Sequence, residues 1–256
     1  MRFLLTNDDG IHARGLFTLQ EAFSEKGDCL IVAPEMERSA AGHAITLSRP
    51  LMIREARKNG EFYGYAVAGT PADSVKIGLR EIAGGPVDLV VSGINLGANV
   101  GINVLYSGTV SAATEGSILG VPAMAVSLDS RSHEADYAAA AQTAAAVADY
   151  ILENRSLLTG IALNVNVPNL PSEKIRGVRF TRQGQARLVE TYERRLDPRN
   201  NVYYWLVGET LQPEDEEEDT DLSVLKKGYV SITPIEPDMT RHDLLAALKN
   251  RPVRLF

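Results

Sequence analysis

Two adjacent carboxylates, Asp8 and Asp9, stand immediately before Gly10 near the start of the chain. Neighbours within a strand point to opposite faces, so both acids reach one ligand only where the chain has already turned. Gly10 permits that turn. Clustered carboxylates repel unless one keeps a proton or a cation joins them. A hard divalent cation with oxygen ligands solves the problem, and Ser39 and Asn95 could add a hydroxyl and an amide oxygen. With monodentate binding, a six-coordinate ion then keeps about two positions open for water or substrate, as metal-assisted hydrolysis requires. A second group is Ser107-Gly108-Thr109-Val110-Ser111. Hydroxyls and glycine at a helix start make an anion site: free N–H groups, a positive dipole end and no side chain at Gly108 to block approach. Asn7, His43 and Asn99 are further polar candidates in the same segments.

Each group also has a plainer reading. Asp8 can cap the first helix with Asp9 solvated, Ser39 and Asn95 can be turn residues, Ser107 or Thr109 can be ordinary caps, and His43 can be a satisfied surface histidine. Placement decides how much weight chemistry deserves. Arg2 to Thr6 reads as a buried first strand ending at Asn7-Asp8-Asp9-Gly10. Cys29 to Ala33 reads as a second strand, stopped by Pro34 and followed by the Ser39 segment. Val87 to Ser92 reads as a third, followed by Gly93-Ile94-Asn95. In open α/β sheets ligands bind at the carboxyl ends of the strands, where these three segments can converge.

The rest of the pattern supports such a sheet. A helix is expected after Gly10 through about Lys26, another from Thr70-Pro71-Ala72-Asp73 to about Ile82, a third from Ser107 to about Leu119, and an alanine-rich one over Ala138 to Leu152. Leu51 to Ile53 and Phe62 to Val67 read as a weaker hairpin, and Ala123 to Ser127 and Ile161 to Val167 as further strands. This alternation implies an α/β fold: a Rossmann-like, doubly wound, mostly parallel sheet over residues 1–170. The pattern changes after Pro171. Residues 171–256 read as a C-terminal extension, a β-rich oligomerisation arm with strands at Val202 to Val207 and Tyr229 to Thr233 and a terminal helix over Thr240 to Leu248.

Composition excludes several classes. The chain has 256 residues and a net charge of −7, and Glu214 to Asp221 holds seven acids in eight residues. Without that run, 26 acids face 26 bases, so there is no global basic field for duplex nucleic acid. The run reads as a solvated loop facing the Arg-rich stretch Arg176 to Arg199, in its own chain or a partner's. The single cysteine, Cys29, excludes an internal disulfide framework and any CxxC site. No apolar stretch is long enough to cross a bilayer and no leader is evident, so a cytoplasmic location without membrane contact is expected. P-loop, GxGxxG and GxSxG patterns are absent, which argues against a Walker-type NTPase, a dinucleotide-binding site and an α/β-hydrolase triad.

Taken together, TNDDG at Thr6 to Gly10, APEMERSAAGHAIT at Ala33 to Thr46, GTPADSVK at Gly69 to Lys76, VSGINLGANVG at Val91 to Gly101 and YSGTVSAATEG at Tyr106 to Gly116 closely resemble the SurE family, the stationary-phase survival nucleotidases. The resemblance spans essentially the whole chain. It implies a divalent-metal-dependent phosphatase of nucleoside monophosphates, a 5'-nucleotidase, with 3'-nucleotides and polyphosphate as further substrates. It implies one cation per subunit, Mg or Mn with Ca or others as bound species, on Asp8, Asp9, Ser39 and Asn95. It also implies a homodimer or homotetramer built by exchange of C-terminal segments. Two competitors fit less well. A haloacid-dehalogenase-like phosphatase uses Asp-x-Asp followed by Thr and forms a phospho-aspartate, whereas the acids here are adjacent. A receiver-like, non-enzymatic signalling module needs an acceptor aspartate where this chain has Ser92-Gly93-Ile94-Asn95, and a nucleotide-binding module without turnover stands as a third, blander alternative.

Overall fold

The computed structural model describes residues 1–212 and 217–251. In chain order the elements are β1 (Arg2–Thr6), α1 (Arg14–Ser24), β2 (Asp28–Pro34), β3 (Ile53–Lys58), β4 (Glu61–Val67), α2 (Pro71–Ile77) continued by a π turn (Gly78–Ile82), β5 (Leu89–Leu96), α3 (Gly108–Ile118), β6 (Ala123–Asp129), α4 (Ala138–Glu153), β7 (Ala162–Pro168), β8 (Val178–Phe180), β9 (Arg187–Leu196), β10 (Val202–Gln212), α5 (Asp221–Lys226), β11 (Val230–Ile235) and α6 (His242–Lys249).

Nine strands form one sheet in the order β3-β4-β2-β1-β5-β6-β7-β11-β8. The six from β4 to β7 run parallel, and β3 and β11 pair antiparallel with their neighbours β4 and β7. The direction of winding reverses between β1 and β5, where open sheets leave a crevice at their carboxyl edge.

The two faces of the sheet bury separate cores. Phe3 and Leu5 of β1, Leu89 and Val91 of β5, and Met124 and Val126 of β6 pack under α1 and α4. Leu4, Val90, Ala123 and Ala125 point to the other face, under Val75 of α2 and Val110, Ala112 and Ala113 of α3. The alternation along β1 is the period-two signature of a strand covered on both sides. Small residues let the helices lie close: Ala140, Ala144 and Ala148 of α4 are fully buried against the sheet. Helix α2 begins in a capping box, with the Thr70 hydroxyl accepting from Asp73 N and the Asp73 carboxylate accepting from Thr70 N at 2.9 Å.

Beyond residue 171 the chain does two things. Strands β8 and β11 extend the main sheet, so part of the expected extension belongs to the core layer. Strands β9 and β10 form a separate antiparallel ribbon. Strand β9 was not expected, because RLVETYERRL carries no buried face: nearly every residue in it is exposed.

The acidic run divides. Residues 214–216 lie outside the described residues. Glu217 and Asp219 are exposed and pair with Arg182, and Glu218 pairs with Lys227. The run therefore does face an arginine of the Arg-rich stretch, within the same chain. Asp221 departs from the solvated-loop expectation. It is fully buried, and its carboxylate accepts from Gly101 N at 2.8 Å, Gly184 N at 3.0 Å and Leu222 N at 2.8 Å. It thus joins the loop after β5 to the segment before β9 and to the start of α5. Buried N–H groups deprived of their acceptor are costly. Asp221→Ala is expected to lower stability by about 3 kcal/mol in urea unfolding, whereas charge removal at exposed Glu218 leaves the midpoint nearly unchanged.

Candidate active site

The site is built where β1, β2 and β5 end and α3 begins. Asn7 is fully buried and closes the turn after β1: its Nδ2 donates to Gly10 O at 2.9 Å and its Oδ1 accepts from Gly10 N at 3.2 Å. Its role is to shape the turn. Gly10 sits at φ +100°, and the backbone of Met36 and Glu37 lies where a β-carbon would project. The loop after β2 is docked on this turn by Arg38 N donating to Asp8 O at 2.7 Å and Ile11 N to Pro34 O at 2.8 Å.

Asp8 is buried and turned to the start of α3, where Thr109 Oγ1 donates to its Oδ1 at 2.5 Å. The Thr109 N–H supports the same carboxylate. A β-carbon on Gly108 would come within 2.7 Å of the Asp8 β-carbon and 2.9 Å of its Oδ2, so only glycine allows this approach. Ser107 caps α3, its Oγ accepting from Val110 N at 3.1 Å. The Thr109 hydroxyl is thereby committed to Asp8.

The remaining predicted ligands arrive through neighbours. The Leu96 backbone, next to Asn95 on β5, is close enough to Asp9 to favour its ionised form. Asn95 Nδ2 is committed to Gly97 O at 2.8 Å, which leaves its amide oxygen available. Ser39 Oγ donates to Glu37 Oε1 at 2.7 Å, and Glu37 is close enough to raise the proton affinity of both Asp8 and Asp9. Sequence reasoning missed Glu37; its only signal was an acid two residues before Ser39.

Two predicted residues are engaged elsewhere. His43 is drawn to Glu115 in α3. Asn99 donates from Nδ2 to Ser127 Oγ at 2.8 Å and from its backbone N to Asn166 Oδ1 at 2.8 Å, and its carbonyl accepts from Asn164 and Asn166. These bonds clamp the Gly97–Gly101 loop over β6 and β7, a positioning role.

Burial is the main force holding the Asp8 carboxyl above its ordinary range, against the support of Thr109. Burial also pushes Asp9 up, to about 7, with Asp8 and then Glu37 adding to the effect. Among the described residues no cationic side chain is a cause of either shift. Among the described residues no three His, Cys, Asp or Glu side chains are grouped to hold a metal. A cation here would rest on the two carboxylates and on neutral oxygens. This all-oxygen donor set, with its uncompensated negative charge, fits a hard divalent cation.

A doubly wound α/β sheet with paired acids and a helix start meeting at its switch point defines a Rossmann-like protein. Comparison with known proteins narrows this class. The family model described as Survival protein SurE matches residues 3–190, so the chain belongs to the SurE family. A protein of Syntrophus aciditrophicus (strain SB) named 5'-nucleotidase SurE is 62% identical over 252 residues, 97% of this chain and 93% of that one. A protein of the same name from Syntrophobacter fumaroxidans is 50% identical over 248 residues, covering 97% and 98%. The crystal structure of the SurE protein from Aquifex aeolicus superposes with a TM-score of 0.83 at 37% identity, covering 98% of this chain and 99% of that one. Among the described residues no helix is long and apolar enough to cross a membrane.

A carboxyl raised to about 7 makes the folded, metal-free protein bind more protons than the unfolded chain between about pH 4 and pH 7. Its contribution to stability is present at low pH and is lost as pH rises through about 7. In chelator, wild-type protein should lose stability between about pH 5 and pH 7 relative to Asp9→Asn. Parallel urea curves for the two proteins across that interval would contradict the assignment.

Proposed function

We propose that this chain is a divalent-metal-dependent phosphomonoesterase that hydrolyses nucleoside monophosphates to nucleoside and phosphate, a 5'-nucleotidase, with 3'-nucleotides and polyphosphate as further substrates. The reading is supported by the relatives named 5'-nucleotidase SurE. One structural observation supports it most: the Thr109–Asp8 hydrogen bond joins the acid pair to the helix start, so the groups proposed here for cation and for phosphate are neighbours.

Asp8, Asp9, Ser39 and Asn95 are the groups that would hold the cation, with Mg or Mn as the expected ion and Ca or others as alternatives. When bound, the cation neutralises phosphate charge and lowers the pKa of water. The start of α3 at Ser107, Gly108 and Thr109 receives the phosphoryl group. There the Gly108 N–H and Ser107 O–H donate to its oxygens, and the helix N-terminus stabilises the negative charge that builds in the transition state. Thr109 fixes Asp8. Asp9, with its proton affinity pushed up to about 7, is in this reading the carboxylate that accepts the proton of the attacking water.

Assembly into a homodimer or homotetramer belongs to the same proposal. The ribbon of β9 and β10 exposes Tyr192, Tyr204 and Trp205, and α6 exposes Leu244, Leu245 and Leu248, apolar surface of the kind that subunit exchange buries. A cytoplasmic site of action goes with this reading and is supported by the single, unpaired Cys29.

The deciding experiment is a phosphate-release panel of nucleoside 5'- and 3'-monophosphates, polyphosphate and an aryl phosphate, with metals varied and with chelator. Release from nucleoside monophosphates that chelator abolishes is expected. Asp8→Asn should lower turnover more than about 100-fold, since losing a ligand costs more than losing its outer-sphere partner, while circular dichroism stays that of the wild type. Turnover indifferent to chelator, or none under any metal, would overturn the reading.

A further inference from the structure

Between β2 and β3, residues 35–52 form no helix or strand. This loop carries Ser39, and connections of such length without regular structure are usually functional. Its path is constrained. Just after Ser39, Ala40 sits at φ +54° and Gly42 at φ +55°. A left-handed alanine is costly and persists only where the surroundings hold it. Three backbone groups tie the loop to the helices beside the site. Gly42 N donates to Tyr106 O at 3.0 Å, Thr46 N to the Asp73 carboxylate at 3.0 and 3.2 Å, and Ala44 O accepts from Thr70 Oγ1 at 2.7 Å.

The fourth tie comes from a side chain. His43 Nε2 lies 2.9 Å from Glu115 Oε2, and Lys76 Nζ of α2 lies 2.9 Å from Glu115 Oε1. The Glu115 side chain is only 4% exposed although it sits within α3. The hydrogen bond from His43 and the Lys76 charge hold its carboxyl below the usual range, so it is an ionised acceptor and His43 Nε2 carries the proton. A buried carboxylate without these partners would be strongly disfavoured. One acid thus fastens the loop, α2 and α3 together. The His43 Nε2 is committed to Glu115.

We propose that His43 is a positioning residue: latched to Glu115, it holds the strained 39–43 segment so that Ser39 stays beside Glu37 and the Asp8–Asp9 pair, completing the cation site. This rests on the cation-site reading above and adds to it a residue that touches neither cation nor substrate.

The test uses full-length protein with Mn2+ alone. Mn2+ affinity is measured by electron paramagnetic resonance of the free ion, and hydrogen exchange is followed at amides 40–46. Three proteins are compared: wild type, His43→Ala, and His43→Gln, whose amide can still donate to Glu115. Lys76 still pairs with Glu115 in both variants, and circular dichroism checks that each is folded before it is compared. His43→Ala should weaken Mn2+ binding about tenfold, as loss of an outer-sphere support does, and speed exchange at 40–46. His43→Gln should restore most of both. Wild-type affinity and exchange in His43→Ala, or losses that His43→Gln does not rescue, would overturn the latch. If wild-type protein binds no Mn2+, the cation reading fails on its own account, and exchange at 40–46 still decides for or against the latch.

Discussion

The short hydrogen bond from Thr109 Oγ1 to Asp8 is the contact around which the functional edge of this protein is arranged. It joins the end of β1 to the start of α3, two elements that come from opposite sides of the winding reversal. Everything near it is shaped to allow it. Gly108 has no side chain because the Asp8 β-carbon occupies that space. Ser107 caps the helix so that Thr109 falls in its first turn, and Asn7 with Gly10 turns the chain as soon as β1 leaves the sheet. A carboxylate at a helix N-terminus is favoured by the dipole, and that support partly offsets the cost of burying Asp8.

Two kinds of buried acid show how the same physics serves structure and chemistry. Glu115 and Asp221 are neutralised or fully hydrogen-bonded within the fold, by Lys76 and His43 in one case and by three backbone N–H groups in the other. Asp8 is buried and Asp9 partly buried, with Asp8 raising the proton affinity of Asp9 and, among the described residues, no cationic side chain among the causes of either shift. The first kind stabilises packing. The second leaves negative charge uncompensated, which favours a bound cation, and under the proposed function the incoming phosphate needs that cation most.

Much of this arrangement is legible in the chain itself, for identifiable reasons. Strands β1, β2 and β5 are continuous apolar runs, and the residues just beyond the carboxyl end of each run supply the candidate site. Thr70 and Ser107 announce their helices by capping chemistry that the structure retains. The parts that escape notice lack a local signal. Strand β9 has no buried face to leave a pattern, β8 is three residues long, and α5 begins inside the acidic run, where Asp221 is indistinguishable by sequence from its solvated neighbours. Glu37 and the engagement of His43 depend on contacts distant in sequence. Glu115 did leave a trace: an acid among the small residues of YSGTVSAATEG must find partners if that helix is buried.

Under the proposed function Asp8 and Thr109 couple cation and phosphate binding, and coupled sites must strengthen each other reciprocally. The most direct measurement is Mn2+ affinity with and without saturating inorganic phosphate, in wild-type protein and in Thr109→Val. The account predicts that phosphate tightens Mn2+ binding in the wild type by about tenfold, a coupling of ordinary size, and that Thr109→Val weakens Mn2+ binding and removes most of that gain. An unchanged Mn2+ affinity together with an unchanged phosphate effect in Thr109→Val would contradict it.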